Sequence, residues 1–293
     1  MKTKTHVDID AIVSKIGDLP AVPEVVAEVI ALTEDPEIEL TDMVAAIEKD
    51  PALTAKVLKI SNSSYYGMRQ VVGSLRLALV VLGIREVRNV VLGIGIIDTL
   101  RLDRAKVLLD PTNFWDHSFK TGGLARRLTA HFDLALQGEE FVAGLLHDIG
   151  KLVLWRQNAD EYKKVFRAAA SPSEILQHIE RDAFGFDHAD IGAALAKSWN
   201  MPETLVDAIG YHHERDDLSL SDAADPQLAA LIRIADLAMN EDQRDPEEVL
   251  EEVCMDDTAW GIAVPGEDLP IEHREVAILK ALHEVSDLLP VHL

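Results

Sequence analysis

A single cysteine, Cys254, stands in a chain of 293 residues, so an internal disulfide cannot form and a thiolate metal site has no second sulfur to draw on. That usage fits a reducing compartment. Long hydrophobic runs are missing too: the longest uncharged stretch that could suggest a membrane span, Asn89 to Ile97, falls well short of the roughly 20 apolar residues a bilayer requires. No membrane partner is expected. Met1 to Asp10 carries positive charge with no apolar segment behind it, which excludes a secretory signal and leads to the expectation that the chain stays in the cytoplasm. Basic residues are scarce, 28 against 51 acidic ones, and the net charge of −23 repels nucleic acid and anionic lipid unless a basic patch is focused locally. Arg85, Arg88 and Arg101 with Arg104 sit among apolar residues at helical spacing and read as solvated or interface charges. No nucleic-acid partner is expected. Small anionic ligands stay open, because bound cations can reverse the local potential of an acidic protein. Gly93 and Gly95 lack the third glycine and the preceding strand of a dinucleotide fingerprint, and no repeat or low-complexity tract is found.

What is present is a globular mix, 48% hydrophobic and 27% charged, long enough for two modest helical domains sharing an interface. Apolar residues recur at helical spacing from the start: Val22, Val25, Val26 and Val29, then Leu40, Met43, Val44 and Ile47. Asp50-Pro51 announces the next helix with a capping carboxylate and a first-turn proline, and Ser74 caps a segment running to Leu82-Gly83. Val90 to Ile97 fits a buried strand as well as a helix by composition; helix is the reading adopted. A boundary is expected across Arg101 to Thr112, dividing residues 1–110 from 111–293. Beyond it, Ser171-Pro-Ser-Glu174 and Asn200-Met-Pro-Glu203 both read as capped helix starts. Glu214 to Pro226 reads as a loop, Leu228 to Met239 as a helix, and the acidic Glu241 to Asp257 as a solvated surface segment. The expected fold is all-α.

Chemistry concentrates in Gly144-Leu-Leu-His147-Asp148-Ile-Gly150-Lys151. An apolar helix delivers adjacent imidazole and carboxylate at its end, where glycine lets the backbone break. Both side chains can converge on one ion if other helices supply the remaining ligands. Candidates exist: His117 after Phe114-Trp-Asp, His188 within Phe186-Asp-His-Ala-Asp, His212-His213 after Ile209-Gly-Tyr, and Asp236 in Arg233-Ile-Ala-Asp. By residue type alone, His147-Asp148 is equally a buried hydrogen-bonded pair locking a helix end, and His212-His213 equally a carbonyl cap or a solvated pair. His6, His131, His178, His273, His283 and His292 show no ligand pattern.

In order and rough spacing, His117, His147-Asp148 and Asp236 resemble the H…HD…D ligand set of the HD phosphohydrolase superfamily. Leu19-Pro-Ala-Val-Pro-Glu24, Asp50-Pro-Ala-Leu-Thr-Ala-Lys56, Asn62-Ser-Ser-Tyr-Tyr-Gly67 and Ala78-Leu-Val-Val-Leu-Gly83 are similar to the signature of the HDOD family, the HD-related output domain, with the match running from about Ile16 to Glu214. The resemblance implies a multi-helix HD-like domain packed against an N-terminal helical bundle, and a role in bacterial signalling; most relatives show no demonstrated catalysis. His188, His212 and His213 correspond to additional metal-ligand positions of the similar HD-GYP phosphodiesterases, and Lys151 to the lysine of their HDxGK motif. Lys151, four residues after His147, can lie one turn away and face a bound phosphate. Lys151 and Asp148 are therefore the catalytic candidates, and His117, His147, Asp148, His188, His212, His213 and Asp236 the metal candidates. Nitrogen and carboxylate donors suit iron, manganese, cobalt, nickel or zinc. The glycine-rich GYP segment is absent after His213, where Glu214-Arg-Asp-Asp stands instead. The resulting expectation is an output or regulatory module that acts through a signalling protein or a small phosphorylated ligand with little or no catalysis. The alternative is an active phosphohydrolase.

Overall fold

Local chemistry starts the helices where the sequence signals them. In this computed structural model, Asp50 is extended (φ −116°, ψ 102°) and its carboxylate accepts the amides of Ala52 and Leu53 at 2.9 and 3.0 Å. Ser74 accepts from the Leu77 amide at 3.2 Å. Such caps satisfy amides that have no partner inside the helix. The structure describes residues 20–33, 35, 37–63, 66–68, 70–100, 111–136, 138–169, 176–213, 215, 218–239, 245–266 and 269–286. The expected boundary segment through Asp110, the Ser171 to Glu174 cap, Tyr65, Arg101, Arg104, Glu214, Asp216, Asp217, His6 and His292 lie outside them.

The first helices are α1 (Glu24–Thr33), α2 (Leu40–Glu48), α3 (Pro51–Ser61), α4 (Leu75–Leu82) and α5 (Ile84–Thr99). The ambiguous Val90 to Ile97 stretch is helical, and α5 is buried from Glu86 to Ile97 because α1, α3 and α4 pack around it. Its polar residues then need partners inside the protein. Glu86 accepts the Tyr66 hydroxyl at 2.7 Å and pairs with Arg126, while the Asn89 amide donates to the Gly138 carbonyl at 2.8 Å. Arg88 is an interface charge as expected, bonded to Asn89 and Glu139.

The remaining helices are α6 (Pro111–His131), α7 (Glu139–Leu146), α8 (Ile149–Gln157), α9 (Ala159–Ala168), α10 (Leu176–Phe184), α11 (His188–Ser198), α12 (Glu203–Gly210), α13 (Pro226–Met239), α14 (Pro246–Met255), α15 (Asp257–Ala263) and α16 (Ile271–Ser286). α7 lies against α6, α5, α12 and α13, and α8 against α11. Two glycines set these distances. A β-carbon on Gly144 would come within 2.5 Å of the Gly122 Cα, so α6 and α7 touch backbone to backbone. A β-carbon on Gly150 would stand 1.8 Å from the His188 carbonyl oxygen. Gly150 therefore does not break the chain as expected; it lies inside α8 and lets α11 approach.

Two further expectations change. Asn200 does not cap α12: it sits at φ +54°, Pro202 precedes the helix, and no side chain bonds the first amides. The acidic Glu241 to Asp257 stretch is not wholly solvated, because α14 is amphipathic and buries Val249, Val253 and Cys254. In the loop before α13, Arg215 and Leu218 form an isolated bridge and Leu220–Asp222 a 3₁₀ turn. Among the described residues there is no strand, and no helix is long and apolar enough to cross a membrane.

Candidate metal centre

The centre begins where α7 ends. His147 remains in helical geometry, Asp148 turns the chain (φ −97°, ψ 3°) and α8 starts at once, so two adjacent side chains enter the same interior volume. α6 supplies His117 from its second turn, α13 supplies Asp236, the N-terminus of α11 supplies His188, and the turn after α12 supplies His212 and His213. All seven candidates meet. His147, Asp148, His188, His212 and Asp236 are buried; His117, His213 and Lys151 are half-buried.

The ring orientations follow from one rule: a carbonyl or carboxylate oxygen can only accept, so the nitrogen facing it carries the proton. Nδ1 of His147 donates to the Gly144 carbonyl (2.7 Å), Nδ1 of His212 to Ile209 (2.6 Å), and Nδ1 of His117 to Met239 (3.3 Å). Nδ1 of His188 meets a carboxylate, Glu180 Oε2, at 2.6 Å. Each of these four rings therefore turns Nε2 inward. Nε2 of His117 and His147 lie 3.3 Å apart, and both lie 3.1 Å from Asp236 Oδ1. Asp148 Oδ2 stands 3.4 Å from the His147 Nε2 and 3.8 Å from that of His117. Its other oxygen, Oδ1, faces His188 Nε2 at 3.3 Å and His212 Nε2 at 3.8 Å, and His188 Nε2 lies 2.8 Å from His213 Nε2.

Donors bound to one tetrahedral ion at about 2.0–2.1 Å stand roughly 3.3 Å apart. The spacings in the His117–His147–Asp236 group match that. Two buried polar atoms here, Asp148 Oδ1 and His212 Nε2, have no hydrogen-bond partner. Buried polar atoms without partners are costly, and a cation between them removes the cost. The donor set, its spacing and its orphans all fit a divalent ion. Three overlapping groups can be drawn: His117, His147 and Asp148; Asp148, His188, His212 and His213; and His147, His212 and Asp236.

The carboxylates also set the charge of the metal-free centre. Burial disfavours charge on His147, yet the carboxylates of Asp148 and Asp236 outweigh it and lift the ring up to about 10. His188 is likewise carried up to about 9 against burial, by Glu180 and Asp148. Burial drives His212 down to about 3 and holds His213 well below its ordinary value. Asp148 and Asp236 stay well below the carboxylate range despite burial, through His147 above all. Lys151 donates to Asp148 Oδ2 at 2.6 Å, and this carboxylate keeps it charged against burial.

Sequence reasoning missed Glu180, which α10 places beneath His188, and Tyr162 of α9, whose hydroxyl donates to Glu180 Oε1 at 2.6 Å. It also missed the ionic network around α11. Arg181 holds Asp187 and Asp190 at 2.7 and 2.8 Å, Arg215 holds Asp190 at 2.7 Å, and Asp187 and Asp190 form a reciprocal capping box. That network ties Arg215 to the start of α11, which carries His188. Only the capping box has a sequence signal, a pair of acids three residues apart at a helix start.

Comparison with known proteins bears on the fold. The family model of the HDOD domain matches residues 19–215. A protein of uncharacterised function from Treponema pallidum (strain Nichols) is 32% identical over 219 residues, which is 73% of this chain and 41% of that protein. The chain thus spans about two fifths of that relative's length. The crystal structure of an HDOD domain protein of unknown function from Geobacter sulfurreducens superposes with a TM-score of 0.76 at 24% identity, covering 96% of both chains. A Shewanella amazonensis SB2B protein provisionally named a phosphohydrolase superposes with a TM-score of 0.74 at 22% identity, covering 97% of this chain and 100% of that one. At these identities the likeness is one of fold.

Proposed function

The chain belongs to the HDOD family, and from that premise we propose that it is a signal-transduction output or regulatory module whose centre holds divalent metal and a small phosphorylated ligand, with little or no catalysis. The observation that carries this reading is the convergence of inward-facing Nε2 atoms and two carboxylates on one buried volume containing two orphaned atoms. His117, His147, Asp148 and Asp236 form one ligand group; Asp148, His188, His212 and His213 form the other. A divalent ion bound there supplies Lewis acidity and acidifies water. Lys151, half-buried beside the centre, offers its ammonium to a phosphate oxygen while Asp148 holds it in place. Iron, manganese, cobalt, nickel and zinc all suit these donors.

Two features favour a module over an enzyme. The ligands are mostly sealed from solvent, and Glu214-Arg-Asp-Asp follows the histidine pair in sequence where the similar phosphodiesterases carry their glycine-rich segment. The N-terminal helices also offer a protein-contact surface: Val71, Leu77, Val80 and Val81 are exposed together, beside the exposed Arg76 and Arg85. No acidic residue occurs from Pro51 to Arg85, so the surface suits an apolar partner segment with acidic flanks. We place the division between the two parts at 1–110 and 111–293.

The specific observation favouring the second reading, a working phosphohydrolase, is the intact ligand set together with Lys151. Metal-loaded protein assayed with bis(p-nitrophenyl) phosphate, beside His147→Ala, separates the two. The module reading expects no difference between them. Turnover lost in the variant establishes the hydrolase.

A further inference from the structure

Glu180 is fully buried, and no lysine or arginine pairs with it among the described residues. Its three donors are the His188 ring at 2.6 Å, the His188 amide at 2.8 Å and the Tyr162 hydroxyl at 2.6 Å. A buried carboxylate facing only such donors is expensive unless positive charge lies close by. In the metal-free protein the His188 ring beside it supplies that charge, and an ion on the far side of the ring would do the same. With Nδ1 bonded to Glu180, His188 aims Nε2 at Asp148 Oδ1 and at His213. This is the arrangement in which an outer carboxylate fixes the tautomer of a ligating histidine and raises its basicity. Among the histidines of the centre, His117, His147 and His212 lean on neutral backbone carbonyls instead.

That asymmetry singles out His188 within its ligand group. We propose that Glu180, braced by Tyr162, is a positioning residue that sets the affinity of the Asp148–His188–His212–His213 group for its ion, while leaving the His117–His147–Asp236 group unaffected. The inference rests on the metal-centre reading above and extends it to residues outside both ligand groups. Tyr162 contributes by holding the second carboxylate oxygen, so that Glu180 cannot rotate away from the ring.

The test is calorimetric titration of metal-stripped full-length protein with manganese(II) and with cobalt(II), combined with elemental analysis and the cobalt visible spectrum. Parent, Glu180→Gln and Tyr162→Phe are compared. The parent is expected to take two ions per chain. Glu180→Gln keeps the side-chain size and removes the charge, and one of its two ions is expected to bind about 10- to 100-fold less tightly with the other unchanged. Tyr162→Phe, the milder change should Glu180→Gln not fold, is expected to shift the same ion in the same direction by a smaller factor. A merely structural role would lower the melting temperature of the stripped protein and weaken both ions together. That result overturns the proposal, as do parent-like affinities for both ions in both variants. A parent that binds one ion overturns it while the metal reading stands; a parent that binds none removes that reading as well.

Discussion

At the scale of single residues, His147 and His188 are the groups through which pH reaches the centre. Without metal their rings are raised to about 10 and about 9, so near neutrality each holds a proton that an incoming ion must displace. Ion binding is therefore expected to release protons and to tighten as pH rises toward those values. Calorimetry in buffers of differing ionisation enthalpy measures the release, and affinity that does not change with pH contradicts it. The sign for the metal-free fold is opposite. A ring raised from 6.5 to about 10 contributes stability that is full below 6.5 and is lost as pH climbs through about 10. Lys151 has a different role. Lys151→Met is expected to keep the metal, since the ligands remain, and to lose about tenfold or more in affinity for inorganic phosphate, the cost of one charge-assisted hydrogen bond. Equal phosphate binding in the variant removes Lys151 from the ligand's reach.

The ligand residues were legible because the chain writes them as types at recognisable places: His147-Asp148 as a pair, His212-His213 as a pair, Asp236 within an apolar helix. Glu180 was not. It stands in Leu176–Phe184, an amphipathic segment whose charges read as a solvated face, and only the packing of α10 under α11 turns it inward.

At the scale of elements, helix starts were legible where a side chain caps them, as at Asp50 and Ser74. They were misread at Asn200, where the chain enters α12 through a left-handed residue and a proline. Asp50→Ala is expected to cost about 1 kcal/mol of stability, the usual worth of an N-cap, without changing metal content. Gly150 belongs to a harsher class. A β-carbon 1.8 Å from the His188 carbonyl and 2.9 Å from the Gly192 amide nitrogen meets backbone, which cannot yield as a flexible side chain would. Gly150→Ala is expected to cost about 1–3 kcal/mol or more by overpacking, and to weaken metal binding by moving α8 from α11. Thermal melting and elemental analysis check both variants. A Gly150→Ala protein with the parent's melting temperature and metal content would show that the two helices can part freely.

At the scale of the whole molecule, charge and topology divide the work. A net charge of −23 leaves little attraction for a polyanion, so DNA binding at physiological salt is expected to be no tighter than the about 10⁻⁴ to 10⁻⁶ M of non-specific binders. A sub-micromolar titration contradicts that. The all-helical architecture was legible from periodicity, and the meeting of five distant segments at one centre from the family resemblance. Neither source revealed the ionic network of Arg181, Asp187, Asp190 and Arg215, because its members are ordinary surface residues until the fold buries them. Metal ligands also differ from a positioned substrate pocket, so cyclic di-guanylate is expected to turn over far below the about 1 to 10³ per second of typical enzymes. Product formation by iron- or manganese-loaded protein in that range, absent in His147→Ala, contradicts the module reading.

The central claim is that the centre is built for an ion, and elemental analysis of protein purified without added metal tests it most directly. The expected result is a stoichiometric transition metal in the parent and its loss in His147→Ala, with both proteins folded by circular dichroism. A parent that is equally folded, free of metal and unable to take up iron, manganese, cobalt, nickel or zinc on titration would contradict the account.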